Sequence, residues 1–173
     1  DFSEAFNNIG NAICELNRPE DALPYFKKAI QIKSDFAEAY YSLGIAYQDL
    51  GKKKEALDNF QKAIKIKPDY AKSYKNLASV YYKLNYLEGA IECYKKTIEI
   101  DKNDLDVYHK LALLYCDIGK VQDAKKKFEE LIELDNMLKI EDEILSKYYY
   151  GENIVNEYIG DNKVVKLFKE FKL

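Results

Sequence analysis

Residue types that carry catalytic or metal chemistry are few in this sequence. His109 is the only histidine, and no second titratable residue lies at a spacing that would make it a general base. The cysteines Cys14, Cys93 and Cys116 show no metal-ligand spacing. The sequence also lacks a glycine-rich phosphate loop and a nucleophile motif. We therefore expect a protein that is not an enzyme and that holds no metal or cofactor.

Polar side chains suited to hydrogen bonding instead recur at an interval of thirty-four residues. Four of them share one register: Asn8, Ser42, Asn76 and Lys110. Amide and hydroxyl groups spaced in this way can hydrogen-bond the main chain of an extended peptide. The constant interval indicates that repeated structural elements position these groups.

The clearest copy of the repeated element is 37–70. Its apolar and small residues first follow the i, i+3, i+4, i+7 spacing of one helix face, at Tyr40, Leu43, Gly44 and Tyr47. A second such set occupies Ala56, Phe60, Ala63 and Ile64. Gly51 separates the two sets, and Pro68 ends the second because proline lacks an amide proton. The pattern predicts two antiparallel helices that cross closely at Gly44 and Ala56.

The same register predicts four units, at 3–36, 37–70, 71–104 and 105–138. We number the positions of each unit from 1 to 34, starting at its first residue. Position 15 is a residue type that tolerates a left-handed helix terminus: Asn17, Gly51, Asn85 and Gly119. We interpret 1–2 as the remnant of an upstream repeat or linker. Residues 139–173 are predicted to be helices that cap the exposed apolar face of the last unit. The alternative for the lysine-rich helix predicted at 162–172 is contact with a membrane or a partner.

Composition narrows the class of protein further. The 173 residues carry a formal net charge of −3, with a pI near 5.4. A general nucleic-acid or anionic-membrane binder would need a strong basic excess, so neither partner is expected. No apolar run approaches the length of a membrane span, and the cysteines suggest no disulfide framework. The sequence therefore predicts a cytoplasmic protein.

The thirty-four-residue interval and its helix-pair pattern resemble the tetratricopeptide repeat family. The resemblance covers 3–138. It departs at position 4, where the family often has tryptophan and this chain has phenylalanine or tyrosine. The resemblance implies an all-α fold, a right-handed superhelical solenoid of antiparallel helix pairs. In such a solenoid the first helix of each pair lines a concave groove.

The resemblance also implies which residues face that groove. We predict peptide contacts from Asn7, Asn8, Asn11, Tyr41, Ser42, Lys72, Lys75, Asn76 and Lys110. The lysines make one end of the groove basic, whereas Glu4, Glu15, Glu38 and Asp49 make the other end acidic. An acidic stretch of a partner is therefore expected beside Lys72, Asn76 and Lys110. The alternative interpretation is that these are solvated charges on a helix face.

One specialisation of the family, the clamp that chaperone-binding members use for a C-terminal carboxylate, is only partly matched. Starting from the first unit the equivalent residues are Asn7, Asn11, Ser42, Lys72 and Asn76, of which only Asn11 and Lys72 fit. Starting from the second unit, Asp106 reverses a required charge. We therefore predict that the chain does not hold a carboxylate in this way.

Three functional hypotheses remain open from the sequence. The favoured one is a non-catalytic protein-interaction scaffold that takes a peptide segment of a partner in its groove. The second is the recruiting arm of a larger enzyme of the glycosyltransferase, phosphatase or prolyl isomerase type, or a chaperone-binding adaptor. The third is self-association through the N-terminal edge.

Overall fold

The computed structural model describes residues 2–137, and every regular element in that range is an α-helix. The helices are α1 (Phe2–Glu15), α2 (Pro19–Ile32), α3 (Ala37–Asp49), α4 (Lys53–Ile66), α5 (Ala71–Lys83), α6 (Leu87–Ile100), α7 (Leu105–Asp117) and α8 (Val121–Met137). Over the described residues they fit four tandem helix pairs, which confirms the predicted all-α fold. The helices predicted at 139–173 lie outside the described residues.

The chain divides into two compact units, Asp1–Val107 and a second that begins at Tyr108. In the first unit, α1 packs on α2, α3 on α4, and α5 on α6. Because only three residues separate the two helices of each pair, the partners run antiparallel. The first helices also contact one another, α1 with α3 and α3 with α5. We call the surface that α1, α3 and α5 expose the first-helix face.

The turn inside each pair contains one residue with a left-handed backbone, as the sequence predicts. Their φ values are 58° at Asn17, 71° at Gly51, 59° at Asn85 and 74° at Gly119. In the second pair the N–H of Gly51 bonds the carbonyl of Gln48 at 3.0 Å, and the N–H of Lys52 bonds that of Tyr47 at 2.8 Å. These two bonds satisfy carbonyls that the end of α3 would otherwise leave unpaired.

Close helix crossings hold the first two pairs together. The rings of Phe26 and Phe60 are fully buried and lie against Gly10 and Gly44 of the facing helix. A Cβ added to Gly10 would lie 2.5 Å from a ring atom of Phe26, and one added to Gly44 would lie 2.7 Å from a ring atom of Phe60. The two backbones can therefore approach only because glycine has no side chain. This confirms the predicted crossing at Gly44.

The second unit contains α7 from Tyr108 onward and α8. Its buried side chains include Tyr108, Leu111, Ala112, Tyr115, Ala124, Phe128 and Leu131. The His109 ring lies 6.3 Å from the Phe128 ring, and Lys127 Nζ lies 5.8 Å from the centroid of Tyr108. The only histidine of the sequence thus packs against an aromatic core residue.

The crossing geometry makes Gly44→Ala a destabilising change. The added methyl would overlap the buried Phe60 ring, and relieving that overlap should cost about 1–3 kcal/mol of unfolding free energy. Urea unfolding measures the difference. Gly89→Ala is the matched control, because the atoms nearest to its Cβ would be ring atoms of Tyr81 and Tyr86 at 3.2 Å, which is less close than the contact at Gly44. Equal stability losses for the two variants would contradict the proposed role of the crossing.

Candidate functional site

The cysteines are not arranged for chemistry. All three are free thiols. Burial, followed by the charge of Glu92, raises the pKa of Cys93 to about 11, and burial also raises the pKa of Cys14 and of Cys116. A thiol that stays protonated at neutral pH is a weak nucleophile and a weak metal ligand. Among residues 2–137 there is no group of three metal-ligating side chains, and no helix long and apolar enough to cross a membrane.

The predicted groove residues differ widely in exposure. On α1, Asn8 is exposed, Asn11 is half-buried, and Asn7 is buried with no hydrogen-bond partner for its Oδ1 among the described residues. On α3, Ser42 is also buried. Lys110 is half-buried on α7 and belongs to the second unit. Equal spacing in the sequence therefore does not give these side chains equal access to a ligand.

Two of the predicted residues, Tyr41 and Asn76, are joined directly across α3 and α5. Asn76 Nδ2 donates to Tyr41 Oη at 3.0 Å and to the backbone carbonyl of Lys72 at 3.0 Å. Because a carbonyl oxygen can only accept, the second bond fixes which end of the amide is nitrogen. Both N–H bonds of the Asn76 amide are then engaged in hydrogen bonds. Asn76 Oδ1 is left as an acceptor, and the Tyr41 hydroxyl proton is left as a donor.

The Tyr41 ring is held by two other aromatic rings. Its centroid lies 5.1 Å from that of Tyr70 and 5.9 Å from that of Phe60. Burial raises the pKa of Tyr41, and the hydrogen bond from Asn76 offsets only part of that rise. The hydroxyl is therefore protonated at neutral pH and can donate. The neighbouring Lys67 lies over the Tyr70 ring at 5.0 Å.

Lys75, predicted to bind an acidic ligand, is paired within the chain. Its Nζ lies 2.8 Å from Asp104 Oδ2 and 2.9 Å from Asp106 Oδ2. Burial lowers the pKa of Lys75, but hydrogen bonds to the two carboxylates outweigh it, so the pKa lies above its ordinary value. The charge of Lys75 is therefore neutralised within the chain. Lys72 is exposed and has no ion pair among the described residues.

The sequence contains a pattern that indicates these contacts, and the groove prediction did not use it. In the second and third units, the residue at position 5 contacts the residue at position 34 of the same unit. Tyr41 contacts Tyr70 in the second unit, and Lys75 contacts Asp104 in the third. The two contacting residues therefore change together, from an aromatic pair to an ion pair. Matched chemistry at two positions far apart in the sequence indicates a contact, whereas the groove prediction treated each first helix alone.

Comparisons with known proteins agree with this architecture. Models of the tetratricopeptide repeat match residues 37–70 and 106–135, and a TPR repeat model matches residues 10–51 and 78–119. A crystal structure of MamA is similar, with a TM-score of 0.76 and 31% identity over 80% of this chain and 81% of that one. A second MamA crystal structure gives 0.73 and 32%, covering 78% and 73%.

A further similar structure is that of YrrB, described as a TPR protein with an unusual peptide-binding site. It has a TM-score of 0.68 and 27% identity over 76% of this chain and 68% of that one. No curated protein sequence matches the chain.

The packing around Tyr70 predicts a loss of stability in alkali. Burial, then the charge of Glu38 and then Tyr41, raises the pKa of Tyr70 above its ordinary value of about 10. As pH rises past that value, the unfolded chain releases the phenol proton while the folded chain keeps it, so unfolding is favoured. Tyr70→Phe should therefore match the original protein at neutral pH and lose less stability at about pH 11. Urea unfolding at both pH values checks this, and equal losses at high pH would contradict it.

Proposed function

The chain belongs to the tetratricopeptide repeat family, and on that premise we propose that it is a protein-interaction module that binds a peptide segment on the first-helix face. The Tyr41–Asn76 pair carries the proposal. It presents a hydroxyl donor beside an amide acceptor, and the main chain of an extended peptide offers the complementary carbonyl and N–H. A peptide held in this way needs no particular side chain at that point, and flanking residues supply the specificity.

Charge supports an acidic residue in the peptide next to this pair. Lys72 is exposed on α5, one helical turn before Asn76. The ion pairs of Lys75 with Asp104 and Asp106 make it a weaker attractor than the sequence suggested. The proposed surface extends along α1 through Asn8 and Asn11. Asn7 and Ser42 are buried, and their contact with a peptide stays a prediction. Lys110, on α7, stays a prediction.

The similar proteins support a binding role. YrrB is described by its peptide-binding site, and it shares 27% identity with this chain. The helix pair that carries Tyr41 lies within residues matched by a family model, 37–70, and a second match, 78–119, begins two residues after Asn76. The class of ligand, a peptide, therefore rests on the family and on the donor and acceptor that this chain presents.

Binding can be tested with a defined ligand. A random peptide library displayed on phage is selected against the chain, and the best binder is synthesised for calorimetry. Asn76→Ala and Tyr41→Phe should each weaken that peptide about tenfold, which corresponds to about 1.4 kcal/mol. Lys72→Glu should weaken it further at low salt if the peptide is acidic. Lys54→Glu makes the same charge change on α4 and is the control.

Two outcomes would contradict the proposal. A selected peptide that binds the Asn76→Ala and Tyr41→Phe variants as well as the original chain would place the site elsewhere. Selection that yields no binder would remove the peptide-binding role of this face. Circular dichroism of each variant shows whether the helices are intact.

Exposed apolar residues on α1 and in the turn after it favour self-association as a second candidate role. Phe2 is 81% exposed, Ile9 44% and Leu16 70%, whereas Leu43, at the position equivalent to Ile9, is 5% exposed. A second copy that covered this strip would remove apolar area from water. Sedimentation should then show dimers that Ile9→Glu with Leu16→Glu dissociates. A protein that stays monomeric at high concentration would rule this role out.

A further inference from the structure

A pocket of about 380 Å³ lies on a side of α3 that the first-helix face does not use. Its wall is formed by Ile30 of α2 together with Tyr40, Leu43 and Tyr47 of α3, and α4 contributes the carboxylate of Glu55. We call it the first-junction pocket, because it lies between the first and second helix pairs. None of the predicted peptide-contact residues lines it, so it is independent of the proposed peptide site.

The next junction shows how the chain fills the corresponding surface with its own side chains. Thirty-four residues further along, Tyr81 replaces Tyr47. Gln61 Nε2 donates to Tyr81 Oη at 3.0 Å, and the Tyr86 ring lies 5.8 Å from the Tyr81 ring. A Cβ added to Gly89 would lie 3.2 Å from ring atoms of both tyrosines. Tyr86 itself is 66% exposed, so it covers Tyr81 from the solvent side.

The first junction keeps the wall and lacks these covering groups. The residues that replace Gln61, Tyr86 and Gly89 there are Lys27, Lys52 and Glu55. Among the described residues, the Tyr47 hydroxyl has no hydrogen-bond partner, and the side chains of Lys27 and Glu55 have no ion pair. The surface that Tyr86 covers at the second junction is therefore open at the first.

We propose that the first-junction pocket binds an aromatic side chain, tyrosine or tryptophan, of a partner protein. The ring lies over Tyr47 as Tyr86 lies over Tyr81, and its O–H or N–H donates to the Glu55 carboxylate. Aromatic rings attract one another in such tilted arrangements, and a hydrogen bond to a carboxylate is stronger than one between neutral groups. The volume is at the small end for ligand pockets, which suits one side chain.

The lining carries two ammonium groups, Lys27 and Lys62, and two carboxylates, Glu55 and Asp58, so its charges balance and do not select a basic side chain. Lys62 is paired with Asp58 at 2.7 Å, and its Nζ lies 6.0 Å from the centroid of the Tyr40 ring. The chain thus already supplies a cation to that ring. Lys27 adds a second ammonium to the lining, where it repels a basic side chain and attracts the face of an aromatic ring.

The test uses N-acetyl-tryptophanamide as the probe. Backbone amide shifts in nuclear magnetic resonance should move at Tyr40, Leu43, Tyr47 and Glu55 as the probe is added, and these shifts give its Kd. N-acetyl-lysinamide should leave them in place. The chain has no tryptophan, so the fluorescence of the probe gives an independent reading.

Two reciprocal double variants exchange the covering residues between the two junctions. Lys52→Tyr with Glu55→Gly gives the first junction the covering residues of the second, and it should weaken probe binding at least tenfold. Tyr86→Lys with Gly89→Glu opens the second junction, and it should create new shifts around Tyr81. If one variant fails to fold by circular dichroism, the other still decides the matter. Unchanged binding by the closed variant, no second site in the open one, or equal shifts with the lysine probe would overturn the proposal.

Discussion

The Phe60 ring packs directly against Gly44, in the space that the Cβ of any other residue would need. The second helix pair depends on this contact. It sets how closely α3 and α4 approach, and so which sides of α3 remain for other partners. One side meets α2, and another joins α1 and α5 in the first-helix face. Phe26 and Gly10 repeat the contact in the first pair. Regular packing of this kind lets surface residues vary without changing the scaffold.

Surface chemistry varies at fixed positions in just this way. Position 5 contacts position 34 as two tyrosines in the second unit and as an ion pair in the third. In the second unit the Tyr41 hydroxyl accepts a hydrogen bond from Asn76. In the third unit Lys75 is held in ion pairs with carboxylates of the same chain. The same backbone therefore carries a hydrogen-bonding site on one unit and a self-neutralised charge cluster on the next.

The two proposed sites use different sides of α3. Tyr41 belongs to the first-helix face, and Tyr47 lines the first-junction pocket. A partner could occupy one without displacing a ligand from the other, because no residue is shared. Such a module can bring two protein segments together. Their relative placement would be set by helix α3, which carries residues of both sites.

The sequence by itself determined the helices, their pairing and their turns. Those features depend on residues close in the chain: apolar spacing of three and four, a glycine or asparagine at position 15, and a small residue opposite an aromatic ring. The exposure of Asn7 and Ser42, the partners of Lys75 and the opening beside Tyr47 were decided by tertiary structure. Each depends on contacts between elements that meet only when the chain has folded, such as that of Lys75 with Asp104. Helical periodicity describes the face of one helix, and it carries no information about what a neighbouring helix places against that face.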